Sequence, residues 1–597
     1  MKLVLKHTPA GYFKYFYIAL GNKLLFNILL SVCLGLLDGI GLALFIPLLQ
    51  FVNSTTGAVN GNSMGGMAFI IDGFSNMGVP LNLTSVLMFM MLVFILKGLL
   101  NYWLQMEQID LRQKYMVALR TDQITDLNNL SYEGFLRLDA GRIQNAVTAE
   151  IGKNIQAMIQ FLNSTKSVII LASYVILAFV ANWQFAFLIM AGGYLSNFLY
   201  KKITDSVKMS SIEISRRGNL FSSYVIQAIH SFKYLKATDY FPQFALKLRS
   251  VINEVEGLNR KIGKSQAITS STRESIIIFI VSLVILLEVN VMGKGLGPIL
   301  LSLLLFYRAL NGLVAVQLSW QGFMQNVGGL QSVADLKESM AEERENQSDK
   351  TFADISGNIE LVNLSFSYGN KEVLKNINLS IKRNHTIAFV GESGSGKTTL
   401  ANVIITLLKP TSGRMLVNNE DIFDYNLDSF RAKIGYIAQE AVIFSDSIFN
   451  NITFWADPTE DNISRFWEVI EKVSLKEFVD NSEHKEHTLL GDNGMLVSGG
   501  QRQRISIARE LYKKVELLIL DEATSALDSQ TERFIQDSID KLQGEYTMIV
   551  IAHRLSTIRN ADIICLLDQG QISASGSYDD LLAVSDRFKN MVALQHV

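Results

Sequence analysis

The chain has little of several things, and each shortage narrows its function. Its 597 residues contain two cysteines, Cys33 and Cys565, far apart in sequence, so neither a disulfide framework nor a thiolate metal set is available. The seven histidines form no ligand pattern; His484 and His487, three apart, stand in a polar, charged stretch that reads as solvated. Charge of either sign is not in excess: the formal net charge is −2, which argues against nucleic acid as the main partner. Charged residues make up only 18% against 49% hydrophobic, a mixture that suits a membrane protein better than a large soluble enzyme. No short apolar core with a small-residue cleavage site opens the chain, so no removable signal peptide is expected.

What is present divides into two halves. Residues 10–20 hold Tyr12, Phe13, Tyr15, Phe16 and Tyr17 and read as an interfacial helix, because aromatic rings settle at the headgroup level. Six apolar runs follow, roughly Leu24–Phe51, Leu83–Trp103, Thr165–Val180, Gln184–Tyr200, Ser275–Met292 and Leu296–Val316. At 1.5 Å per residue the first can cross a ~30 Å hydrocarbon core with tilt to spare, and the other five are candidate spans. Lys and Arg set the orientation. The stretches Asn53–Leu81 and Ala181-Asn-Trp183 contain neither, whereas 104–164 carries six and 201–273 thirteen. The positive-inside rule then puts both long segments, the N-terminus and everything after the sixth span in the cytoplasm. Arg112–Leu130 and Arg216–Leu258 are helix-periodic and read as spans continuing beyond the bilayer, with turns near Leu130–Asp139 and Ser231–Tyr240. A charged stretch, Lys337–Lys350, reads as a linker.

From about Ile355 the pattern turns to soluble α/β. An apolar strand, Thr386–Val390, leads into Gly391-Glu-Ser-Gly-Ser-Gly-Lys-Thr398 and then a helix-like run, Thr398–Leu408. This is the phosphate-binding G-x-x-x-x-G-K-[ST] arrangement. Its glycines let backbone N–H groups turn inward around a β-phosphate, and the helix N-terminus adds positive potential. Lys397 would reach the β- and γ-phosphates and the Thr398 hydroxyl would ligate Mg²⁺. Glu516-Leu-Leu-Ile-Leu-Asp521-Glu522 is a strand ending in two acids. That is where a Mg²⁺-holding carboxylate (Asp521) and a water-activating base (Glu522) are needed. Between them Ser498-Gly499-Gly500-Gln501 opens a helix and offers a second anion-binding N-terminus, or a plain glycine turn.

Taken together these motifs resemble the nucleotide-binding domain of the ATP-binding cassette family over residues 355–590. Ser525-Ala-Leu-Asp528 and Ala552-His553-Arg554 follow in the family's order. With six spans in the same chain, the whole is similar to an exporter-type half-transporter: an α-helical transmembrane domain (1–335), a linker (336–354) and an α/β P-loop ATPase domain (355–597).

The resemblance implies roles residue by residue. Tyr368 would stack on adenine; Gly391, Ser393, Gly394, Gly396, Lys397, Thr398 and Thr399 would cradle ATP. Thr398, Gln439 and Asp521 would hold Mg²⁺, and Gln439 would also sense the spans. Glu522 would polarise water, and His553 would hold the γ-phosphate. Ser498, Gly499, Gly500 and Gln501 would meet the γ-phosphate bound by a second chain, and Asp528 would help join the two sites. A single P-loop and a single signature per chain then imply a homodimer with two active sites, in a bacterial inner membrane. Two departures stand out: Val497 for the usual Leu, and Gly491-Asp-Asn-Gly494 for a commoner Gly-Glu-Arg-Gly.

The cargo is less legible. Asp38, Lys97 and Arg308 fall near mid-span, where charges are costly and face the interior. They form either a structural ion pair plus a snorkelling base, or a basic path for an anionic head group. Among exporters, Leu37-Asp-Gly-Ile-Gly41 with Pro47, Phe306-Tyr-Arg308, Phe232–Lys236 and Phe444–Thr453 are similar to bacterial lipid-linked oligosaccharide flippases, which implies a lipid-linked substrate. A multidrug or peptide exporter and an ATP-gated channel are the rival expectations.

Overall fold

The computed structural model describes residues 7–45, 48, 80, 82–181, 183–290, 296–345, 348–521, 536, 539–552 and 558–595. The chain forms two compact units, Met1–Arg344 and Glu345–Val597.

The first unit is helical. Helix α1 (Pro9–Leu20) starts where the Thr8 hydroxyl accepts from Gly11 N–H with Pro9 in the first turn, and it stops at Gly21, φ +59°. Six long helices follow among the described residues: α2 (Asn22–Ala43), α3 (Leu83–Asn128), α4 (Ile151–Ala181), α5 (Trp183–His230), α6 (Phe241–Asn290) and α7 (Leu296–Glu342). Among the described residues three runs are long and apolar enough to cross a membrane: Asn22–Ala43, Leu83–Asn128 and Ala140–Val180. The 46 residues of α3 span ~69 Å at 1.5 Å each, about twice a hydrocarbon core. The expected extensions beyond the bilayer are continuous with their spans: the one from Arg112 runs on in α3, and the one over Arg216–Leu258 lies in α5 and α6. Short helices Tyr132–Arg137 and Phe232–Ala237 occupy the two turns expected at Leu130–Asp139 and Ser231–Tyr240. The first is seated on the end of α7: Ser131 N–H donates to Glu343 O at 3.0 Å, and a Cβ on Gly134 would come 2.5 Å from Glu343 Cβ.

α1 is only half an interfacial helix. Phe13 and Tyr17 are exposed and stacked, but Tyr12 and Phe16 are fully buried against Phe161, Trp320 and Phe323. A 3.6-residue period puts positions four apart on one face, so this aromatic cluster splits between the core and the outside. Near the start of α4 the ladder widens into a π turn, Ala146–Glu150. There the buried Glu150 carboxylate accepts from Lys153 Nζ at 2.8 Å, Ser215 Oγ at 2.7 Å and Asn145 Nδ2 at 3.2 Å, so α4 and α5 are joined by a satisfied polar contact.

The second unit is two sheets with helices. β1 (Ile359–Tyr368), β2 (Lys371–Ile381), β4 (Ser412–Val417) and β5 (Glu420–Asp421) form an antiparallel sheet ordered β2-β1-β4-β5. β3 (Thr386–Val390), β6 (Ile434–Ile437), β7 (Leu517–Asp521), β8 (Thr547–Ile551), β9 (Ile563–Asp568) and β10 (Gln571–Gly576) form the other, ordered β10-β9-β3-β8-β7-β6. Its central strands pair in parallel and β3, β7 and β8 are buried throughout. This is why they read as unbroken apolar runs rather than as alternation.

Residues 348–355 lie on this second unit. Phe352 is buried edge-on to Tyr425 and Phe430, Ile355 N–H donates to Glu516 at 2.6 Å, and Glu345 takes the Arg431 guanidinium. The charged stretch read as linker thus ends α7 on one side and packs on the cassette on the other.

Candidate functional site

In the parallel sheet the expected phosphate site lies at the carboxyl ends of the strands, where open α/β sheets bind ligands. β3 ends at Val390 and the chain turns through Gly391 (φ +151°), Gly394 (φ +82°) and Gly396 (φ +105°) into α8 (Lys397–Ile404). At Gly391 a Cβ would sit 2.2 Å from Leu567 O, so no side chain fits between the loop and β9. α8 is shorter than the expected Thr398–Leu408, because Thr406 takes φ +60°. Ser393 and Thr398 are exposed, Thr399 half-buried and Lys397 buried. Lys397 Nζ donates to Gly391 O at 2.9 Å and Glu392 O at 3.0 Å. The ammonium is therefore held over the loop by carbonyls that a phosphate can compete with.

Two strands away, Asp521 closes β7. Register puts it opposite Ile551 of β8, and Ile551 opposite Phe389 of β3. The carboxylate thus stands level with the start of the loop, at a spacing of ~10 Å for two strand separations. It is buried (7% exposed) and accepts from Tyr436 Oη at 3.1 Å. Gln439, exposed, follows the end of β6, which pairs with β7. The fold therefore brings the Gly391–Thr399 loop, Gln439 and Asp521 to one sheet edge. The donors Thr398, Gln439 and Asp521 are all hard oxygens, which fit Mg²⁺. Tyr368 closes β1, exposed and edge-on to Phe366 at 4.8 Å. Glu522, His553 and 525–528, Asp528 included, lie outside the described residues, as do Pro47 and 51–79.

Ser498 is the N-cap of α9 (Gly499–Tyr512). Gln501 N–H donates to Ser498 Oγ at 3.3 Å and Ser498 N–H to Gln501 Oε1 at 2.8 Å. This capping box satisfies two orphan donors and leaves Ser498 and Gly499 exposed, with Gly500 buried. The preceding Gly491-Asp-Asn-Gly494 is a tight turn with positive φ at Gly491, Asn493 and Gly494, held by Arg502 to Gly494 O and Val497 O.

Four residues outside the motifs support this site. Tyr436 orients Asp521. Arg509, buried in α9, donates to Asn451 O at 2.6 Å and Val442 O at 2.7 Å and lies over Phe444 and Phe454. It ties the signature helix to the segment after Gln439, and burial pushes its pKa down. Arg587 donates to Glu392 of the loop at 2.9 Å and also pairs with Asp568. Its charge is reinforced by hydrogen bonds to Glu392 and then Asp568. Gly570 N–H donates to Ser395 O at 3.1 Å. Apart from Arg587 and Asp568, these hydrogen-bonded partners are 58 to 195 positions apart, beyond any local sequence signal.

In the helical unit, Asp38 of α2 is bonded by both Lys97 of α3 and Tyr174 of α4. Lys166 of α4 donates to Asn101 at 3.0 Å, and Arg308 is exposed on α7. Asp38 is thus in a structural pair with Lys97, one of the two expected arrangements. Lys166 and Tyr174 were not singled out by span counting, because a helix position alone does not tell which face meets a neighbour.

Comparison with known proteins follows this geometry. Residues 374–525 match the family model "ABC transporter" and 24–312 match "ABC transporter transmembrane region". The chain is 30% identical over 480 residues to the ATP-dependent lipid A-core flippase of Ralstonia nicotianae, covering 79% of this chain and 80% of that one. It is 31% identical to the heterocyst differentiation ATP-binding protein HepA of Nostoc, over 78% and 76% of the two chains. The lipid A-core flippase of Pseudomonas aeruginosa is 41% identical over 45% of either chain, less than half of that protein's length. A bacterial Atm1-family ABC exporter solved with ATP bound shares the fold at a TM-score of 0.79 and 21% identity, over 96% of this chain and 98% of that one.

Proposed function

Because this chain belongs to the ABC transporter family, a membrane ATPase that binds ATP, we propose that it moves an amphipathic, lipid-linked substrate between the leaflets of a bacterial inner membrane. The observation that carries this reading is the match to a lipid A-core flippase over four-fifths of that protein. The cluster of Asp38, Lys97, Tyr174 and Lys166 between α2, α3 and α4 agrees with it. With Asp38 satisfied by Lys97, Lys166 and Arg308 remain as cations for an anionic head group in a setting where an unmatched charge is costly.

The proposed ATPase step uses the residues at the sheet edge. Loop N–H groups and Lys397 hold the β- and γ-phosphates. Thr398, Gln439 and Asp521 would hold Mg²⁺, which when bound neutralises phosphate charge. Glu522 polarises the attacking water and His553 steadies the γ-phosphate. The Ser498–Gln501 helix start is exposed at Ser498 and Gly499. It is suited to nucleotide held by a second copy, so two chains close two sites. Closure and reopening of the cassettes then drive alternating access, with the long helices α3, α5 and α6 transmitting it.

The test is reconstitution into vesicles with a fluorescent glycolipid bearing a phosphate or pyrophosphate linkage. Expected is ATP-dependent movement across the bilayer that Glu522→Gln abolishes while ATP stays bound. ATP consumption with ion conductance and no lipid movement would replace this reading with a gated channel. Movement of neutral drugs alone would replace it with a multidrug exporter.

A further inference from the structure

Apart from the Asp38 cluster, the helical unit holds a half-open cavity of about 550 Å³, within the size range of small-molecule sites. Phe13 of α1, Phe161 and Thr165 of α4, Tyr200 of α5, and Trp320 and Gln321 of α7 contribute to its wall. Among the described residues that line it, none carries a charge.

Its place along the helices is an interface. Tyr200 immediately precedes Lys201-Lys202, and Trp and Tyr gather where hydrocarbon meets headgroups. A space of this size walled mainly by carbon forfeits dispersion contacts while empty. Apolar cavities exclude water and take apolar guests.

Hydrogen bonding narrows the guest. The hydroxyls of Thr165, Thr204 and Thr269 donate to carbonyls of their own helices, at Phe161, Tyr200 and Ser265, at 2.9–3.1 Å. Toward the cavity they offer lone pairs only. Gln321 is 4% exposed, and its amide nitrogen, without a partner among the described residues, is itself covered by the protein rather than open to the cavity. The wall therefore offers hydroxyl lone pairs and no countercharge. An ion entering it would lose hydration without compensation.

We propose that this cavity binds a neutral single-chain amphiphile, its tail against the apolar wall and its uncharged hydroxyl head donating to the threonines. The site is separate from the charged cluster and does not depend on the transport reading. The same chemistry could come from an uncharged bilayer lipid or from a neutral foreign compound.

The experiment is equilibrium binding to the full-length protein in bilayer discs, with empty discs subtracted, using labelled 1-lauroylglycerol, laurate and dodecylamine. Expected is saturable binding of the glycerol ester at one per chain, with both charged analogues at least about tenfold weaker. Thr204→Val, which keeps the shape and removes an acceptor, should weaken the neutral probe about 5–10-fold, and Thr165→Phe, which fills the space, should abolish its binding, while basal ATPase stays unchanged in both. Should Thr165→Phe fail to fold, Thr204→Val still decides. Unsaturable uptake of all three probes, indifferent to either variant, would overturn the proposal, as would preference for laurate. Displacement by an uncharged aromatic drug would name foreign compounds as occupants and its absence the lipid; both keep the site.

Discussion

Tyr436→Phe removes one hydroxyl and leaves the ring in place. That hydroxyl donates to Asp521 at 3.1 Å, and Asp521 is 7% exposed, so water cannot readily take over. A hydrogen bond to a charged acceptor contributes about 1.5–3 kcal/mol. At about 1.4 kcal/mol per factor of ten, any equilibrium that draws on an oriented Asp521 should shift roughly 10–100-fold. The same range is typical when an outer-shell partner of a metal ligand is lost. The assay is ATPase rate against free Mg²⁺ at saturating ATP. Half-saturating Mg²⁺ should rise at least about tenfold, while kcat at saturating Mg²⁺ stays within about twofold and nucleotide affinity without Mg²⁺ is unchanged. An unmoved Mg²⁺ profile would refute the role of Tyr436 in holding Asp521. So would a loss of kcat that extra Mg²⁺ does not restore, since that outcome means the hydroxyl acts elsewhere.

Three further outcomes are expected. Burial pushes the Glu510 carboxyl above its ordinary range, so the folded cassette holds that proton more tightly than the unfolded chain does. Stability is therefore lost as pH rises from the ordinary glutamate value through the raised one. Glu510→Gln should raise the melting temperature increasingly as pH climbs above the ordinary glutamate value, and a pH-independent difference would count against this. Cys565 is fully buried in β9, and its thiol is pushed up to about 12. In a Cys33→Ser background maleimide should label it only after denaturation; prompt native labelling would contradict the packing. A Cβ on Gly328 of α7 would lie 2.2 Å from Ser211 O of α5, whereas one on Gly257 of α6 meets nothing within 4 Å. Gly328→Ala should therefore lower thermal stability by overpacking of about 1–3 kcal/mol. Gly257→Ala should be neutral or slightly stabilising, as Ala exceeds Gly in helices, and equal effects would sink the close-approach argument.

Much was legible in the chain because it is written locally. A run of Gly391, Gly394 and Gly396 before Lys397 needs only backbone chemistry to be read as a phosphate loop, and β3 and β7 announce themselves by continuous apolarity. Six apolar runs with Lys and Arg confined to alternate links likewise state a membrane unit. Asp521 and the loop were nameable from strand ends alone, since parallel strands deliver their carboxyl ends to one edge, whereas Gln439 came only with the family resemblance.

What depended on non-local pairing was not legible. The aromatic run of α1 carries no mark that Tyr12 and Phe16 turn inward while Phe13 and Tyr17 stay out; that depends on Phe161 and Phe323, far along the chain. Tyr436, Arg509 and Arg587 follow no motif, and their roles come from partners brought near only by the sheet order and the packing of α9. Span counting placed Asp38, Lys97 and Arg308 at similar depth but could not choose Lys97 and Tyr174 as the partners of Asp38. That choice needs the rotation of α2, α3 and α4 about their axes, set by which faces pack. Sequence alone determined the chemistry at the strand ends and the division into a membrane half and an ATPase half. Tertiary structure alone decided which polar groups inside the helical unit are satisfied and which surround an uncharged cavity, because burial and hydrogen bonding are properties of neighbours rather than of residues.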